Sequence, residues 1–257
     1  MKLPKISIVI PSYNKVEFID ETLTSIFNQN YPNLEVIIQD GGSTDGTVGI
    51  IRRFAEKYNV TWESKKDNGQ LDAINKGLKK ATGDILTYIN ADDIYNPSSL
   101  NKVGNYFVTY PKSLWLAGKG VVIDKKGEEI SKLTTLYKNL LLVINKYTFL
   151  LMVNYLSQPS IFFTKTAYKK YGPFVGTRDY VLEYDFWLKL GKAEMPGKLL
   201  CTLSSFRISG TNISAVSYKS LLADDYKLVE RYTKNFFILL IHRLNNLGRV
   251  LVINFLK

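Results

Sequence analysis

Between Ile6 and Asp93 the sequence repeats one cycle three times: an apolar stretch of β-type residues, a polar loop, then apolar residues at helical spacing. Ile6–Ile10 ends in Pro11-Ser12-Tyr13-Asn14, and Val16, Ile19, Leu23, Ile26 and Phe27 follow on one helical face, with Asn14 as the expected N-cap. Leu34–Ile38 ends in Asp40-Gly41-Gly42-Ser43-Thr44-Asp45-Gly46-Thr47 and gives way to a helix on Val48, Ile51, Phe54, Ala55 and Tyr58. Val60–Glu63 leads through Lys65–Asp72 into a third helix faced by Leu71, Ile74, Leu78 and Ala81 and ended by Gly83. Such alternation predicts a doubly wound α/β domain around a mostly parallel sheet. The strand segments are continuous apolar runs, as strands covered on both faces must be. Every polar loop then falls at the carboxyl edge of the sheet, where an open α/β fold takes its ligand.

The fourth run, Ile85-Leu86-Thr87-Tyr88-Ile89, drives into Asn90-Ala91-Asp92-Asp93 at that same edge. Adjacent carboxylates repel unless a cation lies between them. A hard divalent cation that also holds phosphates is suited to such a place; a solvated turn leading into the helix near Pro97 is the plainer alternative. No G-x-G-x-x-G follows the first strand and no G-x-x-x-x-G-K-[ST] occurs, which argues against a dinucleotide dehydrogenase and a P-loop kinase. With a single histidine, His242, zinc centres and Ser-His-Asp chemistry are poor fits. The lone Cys201, in an apolar setting, reads as a small buried hydrophobe.

The second half is less regular. It predicts a strand over Leu114–Ile123 turning at Lys125-Lys126-Gly127 into Glu129-Ile130, one or two helices over Leu133–Leu156, and a strand over Ile161–Phe163. A turn at Gly172-Pro173-Phe174, a helix opened by Glu183-Tyr184-Asp185 and a last strand over Leu199–Ile208 complete it. The net charge of +11 calls for an acidic partner. No nucleic-acid-binding module is recognisable, which leaves nucleotide phosphates or an anionic lipid surface. Residues 231–257 carry Arg231, Lys234, Arg243, Arg249 and Lys257 with no acidic residue, among many apolar ones, and are expected to form a basic amphipathic segment distinct from a catalytic domain over 1–230. That segment fits a helix lying in a membrane interface, or a helix packed on the domain. The apolar stretch Ile6–Ile10 is too short for a signal peptide, and no apolar run reaches the roughly 18 residues that a spanning helix needs. A cytoplasmic protein, peripheral on the inner face of the membrane, is the expectation.

Taken together, Pro11-Ser12-Tyr13-Asn14, Asp40–Thr47, Asp67-Asn68-Gly69, Asp72–Gly77, Ala81–Asp84 and Asn90–Asp93 resemble, in order and spacing, the family 2 glycosyltransferases. The likeness continues through Gln158-Pro159-Ser160, Gly172-Pro173-Phe174, Glu183-Tyr184-Asp185 and Arg207. It implies the GT-A fold, a Rossmann-like nucleotide-diphospho-sugar domain, and an inverting transferase. The donor would be a UDP-, GDP- or dTDP-sugar, the cofactor Mn²⁺ or Mg²⁺, and the acceptor a hydroxyl of a glycan or lipid-linked glycan. By the same resemblance Pro11, Tyr13, Asp40, Asp67, Asp72, Asn90 and Arg207 surround the donor, and Asp92 binds the metal. Glu183 is the base, with Asp185 two residues away; Arg207 could offer phosphate a bidentate fork.

Three positions depart from the family pattern. Asn90 replaces the first aspartate of D-x-D, Gly41 the second member of an acidic pair, and Ser209 a frequent histidine. The change at Gly41 shifts nucleobase contact onto Asp40 or the backbone. A non-catalytic sugar-nucleotide-binding or scaffold protein of the same fold is the alternative.

Overall fold

The computed structural model describes residues 2–176, 183–209 and 218–255. The first half follows the expected cycle: β1 (Ile6–Ser12), α1 (Ile19–Phe27), β2 (Leu34–Asp40), α2 (Thr47–Lys57), β3 (Val60–Ser64), α3 (Gln70–Lys80) and β4 (Ile85–Tyr88). The chain continues through β5 (Ile94–Tyr95), α4 (Ser99–Thr109), β6 (Trp115–Ile123), β7 (Glu129–Ile130), α5 (Lys132–Ile144) and α6 (Tyr147–Met152). After a 3₁₀ turn at Gln158–Ser160 come β8 (Ile161–Thr164), α7 (Lys165–Tyr171), α8 (Tyr184–Ala193), β9 (Gly197–Arg207), α9 (Tyr218–Tyr232) and α10 (Phe236–Phe255).

One sheet runs β3-β2-β1-β4-β8-β6-β9-β5, with β7 paired to β6. Strands β1 to β4 are mutually parallel. β8 enters antiparallel between β4 and β6, β9 runs parallel to β6, and β5 closes the far edge antiparallel to β9. The mixed, mostly parallel α/β sheet is the one the sequence predicts. Helices cover both faces, so alternate residues of β1 enter different cores. Ile6, Ile8 and Ile10 pack with Ile19, Leu23, Val36 and Ile51, whereas Val9 packs with Ile37, Ile74, Leu78 and Leu86. This two-sided burial is why the strand reads as an unbroken apolar run.

Gly77 sets how closely α3 rides on β1. A methyl group there would stand 2.3 Å from Val9 Cγ1, so only glycine permits the observed approach. α3 and the loop before it therefore have little freedom in height above β1.

The C-terminal helix divides its surface. Ile238, His242 and Asn246, four residues apart, are buried and face α6 and α9. His242 Nδ1 lies 3.0 Å from the Leu151 carbonyl, and Nε2 lies 3.1 Å from Asn246 Nδ2. With Nδ1–H donating to the carbonyl, Nε2 is the acceptor for Asn246, and the ring is packed on both sides. Arg249 reaches back to the buried Asp225 of α9 at 3.1 Å. Phe236, Phe237, Leu240, Ile241, Leu244 and Leu247 remain exposed. The packed-helix and exposed-apolar readings of this segment therefore hold together on opposite faces. Leu256 and Lys257 lie outside the described residues.

Candidate active site

The loops after β1 and β2 lock each other. Asp40, buried at the end of β2, accepts from Gly42 N (3.1 Å), Ser43 N (2.8 Å), Ser43 Oγ (2.5 Å) and Ser64 Oγ (2.6 Å). A carboxylate so heavily engaged, with three donors on Oδ2 and one on Oδ1, shapes its own loop. Asn14 adopts a left-handed φ of 50°. Its amide N–H donates to Ser43 Oγ at 2.7 Å, and its Oδ1 accepts from Thr44 N at 3.0 Å. It therefore joins two loops instead of capping α1, which begins four residues beyond Lys15 at Ile19 with no side-chain cap. Pro11, inside β1 opposite Gln39, is buried at the strand end.

A slot opens beside Gly41. A methyl group on Gly41 would sit 3.2 Å from Asp67 Oδ1 and 3.3 Å from Tyr13 Cδ2. The absent side chain thus leaves a narrow slot between an exposed aromatic face and a carboxylate. Asp67 Oδ1 accepts from Gly69 N at 2.9 Å, which fixes the carboxylate beside Gly41. Asp72, in the first turn of α3, accepts from Asn68 N (3.1 Å) and pairs with Lys76 (2.7 Å), and the lysine keeps its carboxyl below the ordinary range.

The end of β4 carries the acidic cluster. Asn90 Oδ1 accepts from Gln70 Nε2 at 2.6 Å, while its Nδ2 donates to Asp93 Oδ2 at 3.1 Å. Asp93 is fully buried and also accepts from Arg207 N at 2.8 Å. Burial, with the neighbouring Asp92 carboxylate, pushes Asp93 well above the usual carboxylate range and favours its neutral form. Asp92 differs: its Oδ2 accepts from Lys15 Nζ at 2.6 Å. Of the acidic groups in this turn it is the one already matched to a cation.

Arg207 does not present a fork to the cleft. Its side chain is buried, with Nε donating to the Asp92 carbonyl (2.9 Å) and Nη1 to the carbonyls of Asp124 and Lys125 (both 3.0 Å). Nη2 meets Glu21 at 2.5 Å, and the guanidinium lies over the Phe18 ring. It is a staple that joins the β4 loop, the β6–β7 turn and α1. Ser209, beyond it, is buried as well; Gly210 lies outside the described residues.

Glu183 stands immediately before α8, where a carboxylate benefits from the helix dipole. The hydroxyl of Tyr88, on β4, donates to Glu183 Oε2 at 3.3 Å. Burial raises the Glu183 carboxyl above the ordinary value, opposed by that hydroxyl and by the ammonium of Lys138 on α5. Burial in turn draws Lys138 down to about 8, aided by Arg249 on α10. Asp185 is held differently: it accepts from Tyr232 Oη at 2.7 Å and pairs with Lys189 at 2.6 Å. It ties α8 to the end of α9.

Lys15, Gln70 and Tyr88 are the site residues that the sequence reading did not single out. Tyr88 was detectable as a phenol at the end of a buried strand, two residues before Asn90. Among the described residues no three His, Cys, Asp or Glu side chains converge as a cage for a metal ion. A cation bound mainly by phosphate oxygens needs only one or two protein carboxylates, and Asp92 meets that smaller demand.

The chain is similar to known proteins of one family. The family model for Glycosyl transferase family 2 matches residues 7–174. An uncharacterized glycosyltransferase of Haemophilus influenzae is 33% identical over 137 residues, covering 52% of this chain and 54% of its own length. The dolichyl N-acetyl-alpha-D-glucosaminyl phosphate 3-beta-D-2,3-diacetamido-2,3-dideoxy-beta-D-glucuronosyltransferase of Methanococcus voltae is 34% identical over 132 residues, 49% of this chain and 41% of the relative. The chain thus spans about half, or less, of these two relatives. The mannosyltransferase PcManGT from Pyrobaculum calidifontis, solved in complex with GDP-Man and Mn²⁺, shares the fold with a TM-score of 0.70 at 19% identity, over 95% of this chain and 70% of the other.

Proposed function

This chain belongs to glycosyl transferase family 2, and we propose that it transfers a sugar from a UDP-, GDP- or dTDP-sugar to an acceptor hydroxyl with inversion. The observation that carries the proposal is the end of β4. Within five residues it holds the hydroxyl that contacts Glu183 and the carboxylate of Asp92. In this reading one strand end serves both the base and the cation-binding carboxylate.

In this reading Glu183 accepts the proton of the acceptor hydroxyl as that oxygen attacks the anomeric carbon. The bond to the diphosphate breaks on the opposite face, and the nucleoside diphosphate leaves. Tyr88 keeps the carboxylate oriented, and Asp185 steadies α8 through Tyr232. The Gly41 slot takes the nucleobase between Tyr13 and Asp67, so the role expected of Asp40 passes to Asp67. Asp92 would hold Mn²⁺ or Mg²⁺, which supplies Lewis-acid neutralisation of the departing diphosphate. PcManGT's complex with GDP-Man and Mn²⁺ supports that assignment.

The acceptor is a lipid-linked or polysaccharide glycan at a membrane surface. Two features support this choice. α10 exposes a basic, apolar face, and α5 exposes Leu133, Leu136, Tyr137 and Leu140. Among the described residues no helix is long and apolar enough to cross a membrane, so the attachment proposed is peripheral. The Methanococcus relative, whose name specifies a dolichyl phosphate-linked sugar, points the same way.

The test is release of nucleoside diphosphate from each sugar nucleotide in the presence of Mn²⁺. Turnover that disappears in Glu183→Gln while donor binding persists supports the assignment. Donor binding with no turnover on any acceptor would favour the non-catalytic alternative.

A further inference from the structure

The charge on Asp92 has a partner that neither the family comparison nor the proposed chemistry requires. Lys15 lies 2.6 Å from its Oδ2, with the lysine side chain 22% exposed and the aspartate 3%. The backbone of Lys15 is fixed at both ends. Its N–H donates to Thr47 Oγ1 at 2.8 Å, and its carbonyl accepts from Phe18 N and Ile19 N at 3.1 and 2.9 Å as α1 begins. What remains adjustable is a flexible four-carbon stem ending in a compact charge. The other cation near this loop, Arg207, is held by the carbonyls of Asp92, Asp124 and Lys125 and by Glu21.

We propose that Lys15 is a resident counter-ion that occupies the cation position on Asp92 in the donor-free protein and moves onto the donor's diphosphate when a divalent metal takes the carboxylate. The inference rests on the glycosyltransferase reading above. Its physical basis is the penalty for leaving one member of a buried ion pair alone. A metal arriving by itself must evict the ammonium and leave it unpaired in a largely dry site. A diphosphate arriving with the metal gives the displaced ammonium a new anion. Metal and nucleoside diphosphate must therefore bind with positive coupling, and thermodynamic linkage makes that coupling reciprocal. Lys15 is thereby a diphosphate-binding residue, and it also sets the order of events. The site resists free metal and accepts the metal–diphosphate pair.

The experiment uses the full chain and two readouts that do not depend on turnover. Free Mn²⁺ is followed by electron paramagnetic resonance, alone and with UDP, GDP or dTDP. Nucleotide affinity is measured by calorimetry in chelator and in Mg²⁺. In the wild-type protein Mn²⁺ alone should bind weakly, and the preferred nucleotide should tighten it at least tenfold beyond the metal affinity of that nucleotide in buffer. In Lys15→Met, Mn²⁺ alone should bind about tenfold tighter, the coupling should shrink, and nucleotide affinity in Mg²⁺ should fall about tenfold. Lys15→Arg should retain part of the coupling. If the wild-type protein binds nucleotide with no effect on Mn²⁺ affinity, the proposal is overturned, whether or not the variants fold. Equal Mn²⁺ and nucleotide affinities in wild type and Lys15→Met overturn it too, with the donor site left standing. Failure of all three nucleotides to bind the wild-type protein overturns the donor reading together with this one.

Discussion

Replacing Tyr88 by Phe removes one oxygen from a buried side chain and keeps the ring that packs edge-on against Phe174 at 5.8 Å. The change is therefore confined to the hydrogen bond received by Glu183. That bond stabilises the ionised carboxylate, and it opposes the upward push of burial on the same group. Hydrogen bonds to charged groups contribute about 1.5–3 kcal/mol. At 3.3 Å this one is long for an O–H···O contact, so the lower end, about 1.5 kcal/mol, is the appropriate figure. A base must be deprotonated to act, so activity falls as pH drops through the carboxyl's folded-state value. Losing the hydroxyl raises that value further, and the acid limb moves to higher pH. Since about 1.4 kcal/mol is a factor of ten, kcat/KM on the limb should drop roughly tenfold while the high-pH plateau holds. The assay is kcat/KM against pH for wild type and Tyr88→Phe, with thermal melting as the control for folding. A limb that stays in place while the plateau falls would refute the reasoning, because the hydroxyl would then position the acceptor and not the base.

Glu183→Gln should lower transfer by roughly 10²–10⁴-fold with donor affinity intact. Asp185→Asn should do less, since its carboxylate is engaged by Tyr232 and Lys189; the reverse order in a side-by-side kcat comparison would move the base to Asp185. Asp92→Asn should cut metal-supported turnover by orders of magnitude, and Asn90→Asp should preserve it or tighten the metal, as read by Mn²⁺ titration. Gly77→Ala should destabilise the domain by about 1–3 kcal/mol through overpacking against Val9, measured by denaturant unfolding; an unchanged midpoint would mean that α3 lifts freely from β1. Full-length protein should sediment with anionic vesicles. A Phe237→Ser, Leu240→Ser, Leu244→Ser variant should remain in the supernatant, and high salt should release the wild-type protein only in part because apolar burial is unscreened.

What the sequence discloses depends on how far each interaction reaches along the chain. The strand–helix cycle from Ile6 to Tyr88 is legible because its signals are local, with periods of two and 3.6 residues. β5 is not, because Ile94 and Tyr95 are extended only through pairing with Ser205 and Ser204. Nor does any local pattern say that β8 inserts antiparallel between β4 and β6. The same limit governs the site. Glu183, Asp92 and Asp67 were named from order and spacing, and the fold gathers them at one edge. Asn14 has the composition of a cap, yet Thr44 N, far along the chain, competes for its oxygen. Arg207 at a strand end looks like a phosphate ligand, until Glu21 and Asp124 arrive from distant segments to engage it. Lys15 escaped notice for the same reason, since its partner lies 77 positions away.

The seam between α9 and α10 bears on how this protein can be cut or recombined. Removing α10 would uncover Ile238's neighbours and strand the buried Asp225 without Arg249 or His242. Asp225 is one of the charges felt by Glu183. The last helix is therefore not a detachable module. A truncation at Tyr232 or a graft of another protein's helix would alter the charges around Glu183 as well as the apolar surface that α10 exposes. Protein engineering faces the same restriction: the inward stripe of α10 can change only in step with Asp225 and the helices it packs on, a constraint that the outward apolar residues do not share.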